Sequence, residues 1–323
     1  MHTASITDAL APLNLTSCLI SRRGEMIVER YRTDDFAGQL ARTNSCTKSF
    51  LSALLCIAMD EGLLPHPDTP IAAFYPQLLR DPDARKAAIT LRHLLTMTSG
   101  LRWTEFGGLN SFPAMTRTPN WVGYVLEQPL ADEPGASMSY NSGNSQLLAA
   151  LLAEAVGMPV AAYAEKKLFG PLGTRDYRWE TDPQGVHTGG FGLWLRPADM
   201  LAFGRLFLQG GAWHGTPLIS PARVSEATRA AIPAAPQPPR RGFYGWHWWT
   251  DTYAPEEGGG AAFDYFNAYG FGGQAIYVVP ALDTVVVLTH DERKKSKIPL
   301  HVFRRHIAPV LAEALWEQQK AVR

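Results

Sequence analysis

The sequence predicts an α+β protein: one antiparallel sheet built from both chain ends and flanked by helices, with a mostly helical domain inserted between them. Three observations carry this. Residues 16–31 and several stretches past residue 240 are rich in β-branched and aromatic residues, as strands are. The middle of the chain carries apolar stripes at three- and four-residue steps, punctuated by Pro and Gly. The period changes after 232–240 (Ile-Pro-Ala-Ala-Pro-Gln-Pro-Pro-Arg), too proline-rich for regular structure and read as a boundary loop. The economical arrangement is a single unit over 1–323, with a sheet lobe from 1–62 plus 241–323 and a helical lobe from 63–240.

Taken in order, Leu19 and Ile20, then Met26 and Val28, supply the apolar positions of two strands around a turn at Arg22-Arg23-Gly24-Glu25. A loop from Asp34 to Thr43 leads to Asn44-Ser45-Cys46-Thr47-Lys48-Ser49-Phe50-Leu51, where a helix begins. Leu51, Leu54, Leu55, Ala58 and Met59 share its face and Gly62 supplies a left-handed stop. Residues 91–97 predict a short helix stopped by Ser99-Gly100. In 144–156 the stripe is Leu147, Leu148, Leu151, Leu152 and Val156, ended by Gly157 and Pro159. In 197–210 Pro197 sits near the start, Met200, Leu201, Phe203, Leu206 and Phe207 form the stripe, and Gly210-Gly211 end it. Beyond the boundary, 243–250, 263–268, 274–279 and 284–289 predict antiparallel strands. Residues 299–320 predict a last helix with Leu300, Phe303, Ile307, Val310, Leu311 and Leu315 on one face.

Composition narrows the function. The chain has 323 residues, 46% hydrophobic and 19% charged, enough for a large core. Thirty basic residues balance thirty acidic ones, so neither nucleic acid nor an anionic membrane is an expected partner. Cys18, Cys46 and Cys56 are too few for a disulfide framework. Cys56 reads as core, and Cys46 faces away from Ser45 on a helix, so it is not the nucleophile. The first twenty residues show no leader pattern and no apolar run reaches spanning length, so a cytoplasmic protein is the expectation. Nine histidines form no His-Glu-x-x-His or Cys/His cluster, which argues against a zinc hydrolase; neither metal nor organic cofactor is expected.

Three stretches carry chemistry. In Ser45-x-x-Lys48 the three-residue spacing puts both side chains on one helix face, one turn apart. The unpaired N–H groups and dipole of a helix start favour developing negative charge there. A serine hydroxyl needs a neighbouring base, and a buried lysine can be one. Tyr140 lies in Ser139-Tyr140-Asn141-Ser142-Gly143, before the 144–156 helix. A tyrosine near an ammonium can relay protons, and Ser142 can hydrogen-bond Lys48 or the substrate. Tyr269-Gly270-Phe271-Gly272-Gly273-Gln274 leads into a strand. Such a glycine-flanked edge admits close approach, so a backbone N–H there can join that of Ser45 in holding an oxyanion.

Together these stretches resemble the three motifs of the serine β-lactamase and penicillin-binding-protein superfamily. The branch is similar to the class C β-lactamase-related group, with its family VIII esterases and 6-aminohexanoate-dimer hydrolases. His93-Leu94-Leu95-Thr96-Met97-Thr98-Ser99-Gly100-Leu101, Pro197-Ala198-Asp199-Met200, Gly210-Gly211-Ala212-Trp213, Val278-Val279-Pro280 and Val285-Val286-Val287 extend the resemblance to about residues 17–310. It implies a β-lactamase/transpeptidase-like fold and a covalent acyl-enzyme on Ser45. Lys48 and Tyr140 would move its proton, Ser142 would assist, and the N–H groups of Ser45 and Phe271 would form the oxyanion site. Two departures stand out. Ser142 replaces the family's usual Asn. No Lys or His precedes the glycine of the third motif, where Ala268, Tyr269 and Phe271 stand instead. The missing cation disfavours substrates with a carboxylate at that point, and both departures recur in ester- and amide-hydrolysing members. The expected substrate is a small ester or amide. The alternatives are a β-lactamase or DD-peptidase, and a sensor of the same fold that binds without turnover.

Other residues are weighed beside these. Trp246-His247-Trp248-Trp249 reads as a strand, mostly core, with Trp246 a candidate pocket wall. Trp103, Trp121 and Phe112 sit in a loop-rich region able to overhang the site, and Gly270 and Gly272 are candidate pocket residues. His93 and His187 read as structural. Glu105, Asp132 and Glu133 are indistinguishable from surface charge.

Overall fold

The computed structural model describes residues 3–234, 242–256, 259–291 and 301–322. Eight strands form the main sheet among them: β1 (Leu15–Arg22), β2 (Glu25–Tyr31), β3 (Ile232–Pro233), β4 (Phe243–Tyr244), β5 (Trp249–Tyr253), β6 (Phe263–Gly270), β7 (Gln274–Val279) and β8 (Thr284–His290). Their order is β2-β1-β8-β7-β6-β5-β4-β3, antiparallel throughout. The N-terminal hairpin joins the C-terminal strands through β1 and β8, with Leu19 opposite Val287 and Ile20 opposite Val286. This is the sheet expected from both chain ends.

The helices that pack on this sheet or between its covering layers include α1 (Thr3–Leu10), α2 (Thr47–Asp60), α3 (Leu91–Leu95), α4 (Ser142–Val156), α5 (Pro197–Leu208) and α6 (Ala308–Val322). Side chains alternate along a strand, and here both faces of the sheet are covered. Val285, Val287, Ile276 and Val278 join the core containing α2, α4 and α5. Val286, Leu288, Tyr277 and Val279 pack on the opposite side with Ile6, Leu10, Phe303, Ile307 and Leu311. That double burial is why the β8 stretch reads as a continuous valine run.

The helix starts and stops follow their local chemistry. α2 is buried from Thr47 to Met59, as befits a central helix, and Gly62 follows it at φ 70°. Asn141 caps α4, its side chain accepting from the N–H groups of Gly143 and Asn144, and Gly157 ends the helix at φ 66°. Phe50 of α2 stacks on Phe203 of α5 with ring centres 3.8 Å apart.

Two expectations need correction. Residues 243–250 are not one strand: β4 and β5 are separated by a turn in which His247 has φ 60°. The boundary stretch is not wholly irregular, since Ile232–Pro233 pairs with Phe243–Tyr244; residues 235–240 lie outside the described residues. The helix at 197–208 packs on the sheet. A Cβ on its Gly204 would lie 2.5 Å from Val285 Cγ1 and 2.8 Å from Ile276 Cγ2, so α5 rests directly on β7 and β8. The middle also contributes Arg178–Trp179 and Leu193–Leu195 to a small sheet with Ala41–Arg42. Finally, α1 carried no reading from sequence.

Candidate active site

Ser45 lies in a single 3-10 turn, Asn44–Cys46, that runs straight into α2. The turn is held from two sides. Asn44 sits at φ 48°, a left-handed conformation that asparagine tolerates better than most residues. Its Nδ2 donates to the Phe271 carbonyl at 2.7 Å. Gly270, at the end of β6, packs so closely that a Cβ there would stand 2.3 Å from the Thr43 carbonyl oxygen. The third motif is thus fastened to the residues just before Ser45. Gly272 and Gly273, at φ 82° and 97°, let the chain turn tightly between β6 and β7.

One turn along, Lys48 is 1% exposed. Its Nζ lies 3.3 Å from Ser45 Oγ, 3.0 Å from Ser142 Oγ and 2.9 Å from the Gly190 carbonyl oxygen. The same Nζ stands 4.8 Å from the centre of the Tyr140 ring, a cation–π arrangement when the amine is charged. Tyr140 stacks on Trp249 at 5.8 Å. Ser142 is the first residue of α4, so that helix start and the α2 start converge on one amine. Ser45, Lys48, Tyr140 and Ser142, proposed from separate stretches of sequence, therefore meet.

Of the other expected residues, Gly270 and Phe271 lie beside the Ser45 turn and the rest are drawn into other contacts. Trp246 is fully buried, with Arg92 against its ring, and belongs to the core rather than a pocket wall. Trp103 is buried, and its indole N–H donates to Glu105 Oε2 at 2.8 Å. Gly270 is closed against Thr43 and Asn44, whereas Phe271 is 66% exposed. Phe106, equally exposed, faces Phe271 with ring centres 6.1 Å apart. Trp121 stacks on Phe191, and Phe112 meets the same ring edge-on. His93 closes a capping box with Thr90. Cys46 donates to the Gln274 carbonyl, and burial pushes its thiol far above the ordinary range. Burial likewise pushes Cys18 and Cys56 up to about 12.

Several residues at the site were not foreseen. Gly190 accepts from Lys48, and a Cβ there would crowd Lys48 Nζ and Ser142 Oγ at 3.1 Å each. The Gly189-Gly190 pair before a strand was the available signal. Glu105 contacts both the hydroxyl and the backbone N–H of Ser142. His247 is buried: its Nδ1–H donates to the Leu95 carbonyl at 2.9 Å, so Nε2 accepts from Ser145 Oγ at 3.0 Å. Burial first, then the Lys48 charge, lowers its pKa to about 3.

With this geometry in place, comparison with known proteins is decisive for family. The Beta-lactamase family model matches residues 17–305. The chain belongs to the Beta-lactamase family. The curated D-alanyl-D-alanine-carboxypeptidase/endopeptidase AmpH of Escherichia coli is 31% identical over 147 residues, 45% of this chain and 38% of AmpH. Esterase EstB of Burkholderia gladioli is 28% identical over 180 residues, 49% of this chain and 45% of EstB. Each match thus spans less than half of the relative. Among solved structures, the octameric penicillin-binding protein homologue from Pyrococcus abyssi superposes with a TM-score of 0.73 at 18% identity, covering 96% of this chain and 78% of its own. That likeness bears out the fold expected from sequence. In this Beta-lactamase family member, no single helix among the described residues is long and apolar enough to cross a membrane.

Proposed function

We propose that the protein is a serine hydrolase that cleaves small esters or amides through an acyl-enzyme on Ser45. The observation that carries this reading is the buried Lys48 amine within 3.3 Å of the Ser45 hydroxyl, one turn away at the start of a buried helix. As Ser45 Oγ bonds to the substrate carbonyl carbon, its proton passes to Lys48. The developing oxyanion is held by the N–H groups of Ser45 and Phe271, which the Asn44–Phe271 bond keeps in register. Collapse of the tetrahedral species breaks the carbonyl–leaving-group bond, and Lys48 and Tyr140 return the proton to the leaving group. Water then adds to the acyl-enzyme and frees Ser45.

Phe106 and Phe271 support an apolar acyl group, because they offer exposed aromatic surface beside the proposed oxyanion site. The identity to EstB, an esterase by name, supports the ester reading. Identity to AmpH favours a second reading, D-Ala-D-Ala peptide cleavage, but Ala268, Tyr269 and Phe271 offer no cation for a terminal carboxylate. Turnover of p-nitrophenyl butyrate, a D-Ala-D-Ala peptide and a chromogenic cephalosporin by wild type and Ser45→Ala tests the choice. The proposal expects the ester to be fastest and the variant inactive. Higher kcat/KM on the peptide or the cephalosporin would replace it with the corresponding reading.

A further inference from the structure

Glu105 stands on the far side of Ser142 from Lys48. It reaches there from a closed loop, where the Thr104 N–H donates to the Asn110 carbonyl at 2.7 Å and Ser111 Oγ donates to the Gly108 carbonyl at 2.8 Å. Its two carboxylate oxygens have different jobs. Oε2 accepts two N–H groups, the Trp103 indole at 2.8 Å and the Ser142 backbone at 3.0 Å. Oε1 accepts the Ser142 hydroxyl in a very close contact. A carboxylate only accepts, so the single O–H of Ser142 is committed to Glu105. Ser142 therefore presents lone pairs alone to Lys48 and must accept an N–H from it. The Gly190 carbonyl, the second neighbour of Nζ, also only accepts. A neutral lysine amine has two N–H bonds and one lone pair. If the amine is neutral and both its N–H bonds are engaged in this way, the lone pair is what remains for the third neighbour, Ser45 Oγ, 3.3 Å away.

We propose that Glu105 is a positioning residue: through the Ser142 hydroxyl it orients Lys48 to accept the Ser45 proton. This rests on the hydrolase reading above. Only one proton moves, from Ser45 Oγ to Lys48 Nζ as the Oγ–acyl bond forms; Glu105 and Ser142 exchange none.

Glu105→Gln separates direction from mere contact. The two N–H donors at Oε2 hold the amide oxygen in that place, which turns the amide NH2 toward Ser142. Ser142 then accepts from the glutamine and turns its own O–H onto the Lys48 lone pair, blocking Ser45. Steady-state kinetics on p-nitrophenyl butyrate, which carries no charge, with the full chain test this. Glu105→Gln is expected to lower kcat on the order of 10- to 100-fold, the scale of a misdirected hydrogen bond to a charged group, with KM little changed. Ser142→Ala has no hydroxyl to block the lone pair and is expected to be the milder variant. Adding Ser142→Ala to Glu105→Gln should therefore restore rate to the Ser142→Ala level.

A structural role for Glu105 predicts no such rescue. A double variant slower than Glu105→Gln, or wild-type kcat for Glu105→Gln on this ester, would overturn the proposal; the second result would make Glu105 a contact for charged substrates. Glu105→Leu leaves Ser142 without its acceptor and should show the same loss and the same rescue, which covers the case in which the glutamine variant fails to fold. Wild-type turnover by Ser45→Ala would instead remove the Ser45 acyl-enzyme reading on which this proposal rests.

Discussion

At the residue scale the site is a problem of keeping one amine both buried and useful. An unpaired ammonium in the interior is costly, and Lys48 meets this with three oxygen neighbours and an aromatic face. Replacing it with Met keeps the volume and removes the base. We expect kcat/KM to fall by about 10²- to 10⁴-fold, the usual worth of a general base, with an unchanged far-UV circular dichroism spectrum. Retained esterase activity in that variant would sink the proton-transfer role. Gly270 gives a second test. A Cβ there must displace the Thr43 carbonyl and with it the Ser45 turn. Gly270→Ala should cost on the order of 100-fold in kcat, because displacements near 1 Å carry penalties of that size. A wild-type rate would show that the turn is not held by this contact. Ser45, Lys48, Tyr140 and Ser142 were legible in sequence because each lies in a short local pattern. Glu105 was not, because its meeting with Ser142 bridges 37 positions and comes from an ordinary-looking loop.

At the element scale, α4 is held to the turn between β4 and β5 by His247, whose ring joins Leu95 to Ser145. Burial keeps that ring neutral, with a pKa lowered from 6.5 to about 3. The unfolded chain takes up a proton below 6.5 that the folded one refuses until about 3. Stability is therefore full above pH 6.5 and falls as pH drops through that window. With a limiting slope of roughly 1.4 kcal/mol per pH unit, reached only well below 6.5, His247 alone should remove about 2 kcal/mol between pH 6.5 and 4.5. Burial lowers His93 and His187 in the same direction. Urea unfolding at the two pH values reads this directly. His247→Asn, which suits the left-handed backbone, should flatten the dependence; an unchanged slope would assign it to other groups. Helix ends were legible here because Gly62, Gly157 and Gly210 do adopt positive φ, at 70°, 66° and 65°. The break inside 243–250 was not, since it depends on a histidine in a conformation usually left to glycine or asparagine.

At the scale of the whole molecule, one apolar core joins Leu19 and Val285 of the sheet to Leu147 and Leu151 of α4 through α2 and α5. The sequence-based division at residue 240 does not cut this core, because apolar periodicity reports which face of a helix is buried and not which neighbour covers it. Sheet and helical middle should unfold together. Tryptophan fluorescence and far-UV circular dichroism are expected to give coincident urea midpoints, whereas two separated transitions would show two independent units. The same union of parts builds the site, which draws on the α2 start, the α4 start, the β6–β7 turn and Gly190.

The most direct test of the central claim is the mass of the intact protein, with peptide mapping, within the first turnovers of p-nitrophenyl butyrate. A butyryl adduct on the peptide containing Ser45, absent from Ser45→Ala and lost as p-nitrophenol release continues, is the predicted result. Sustained release with no adduct on that peptide, or an adduct on another residue, would contradict the account.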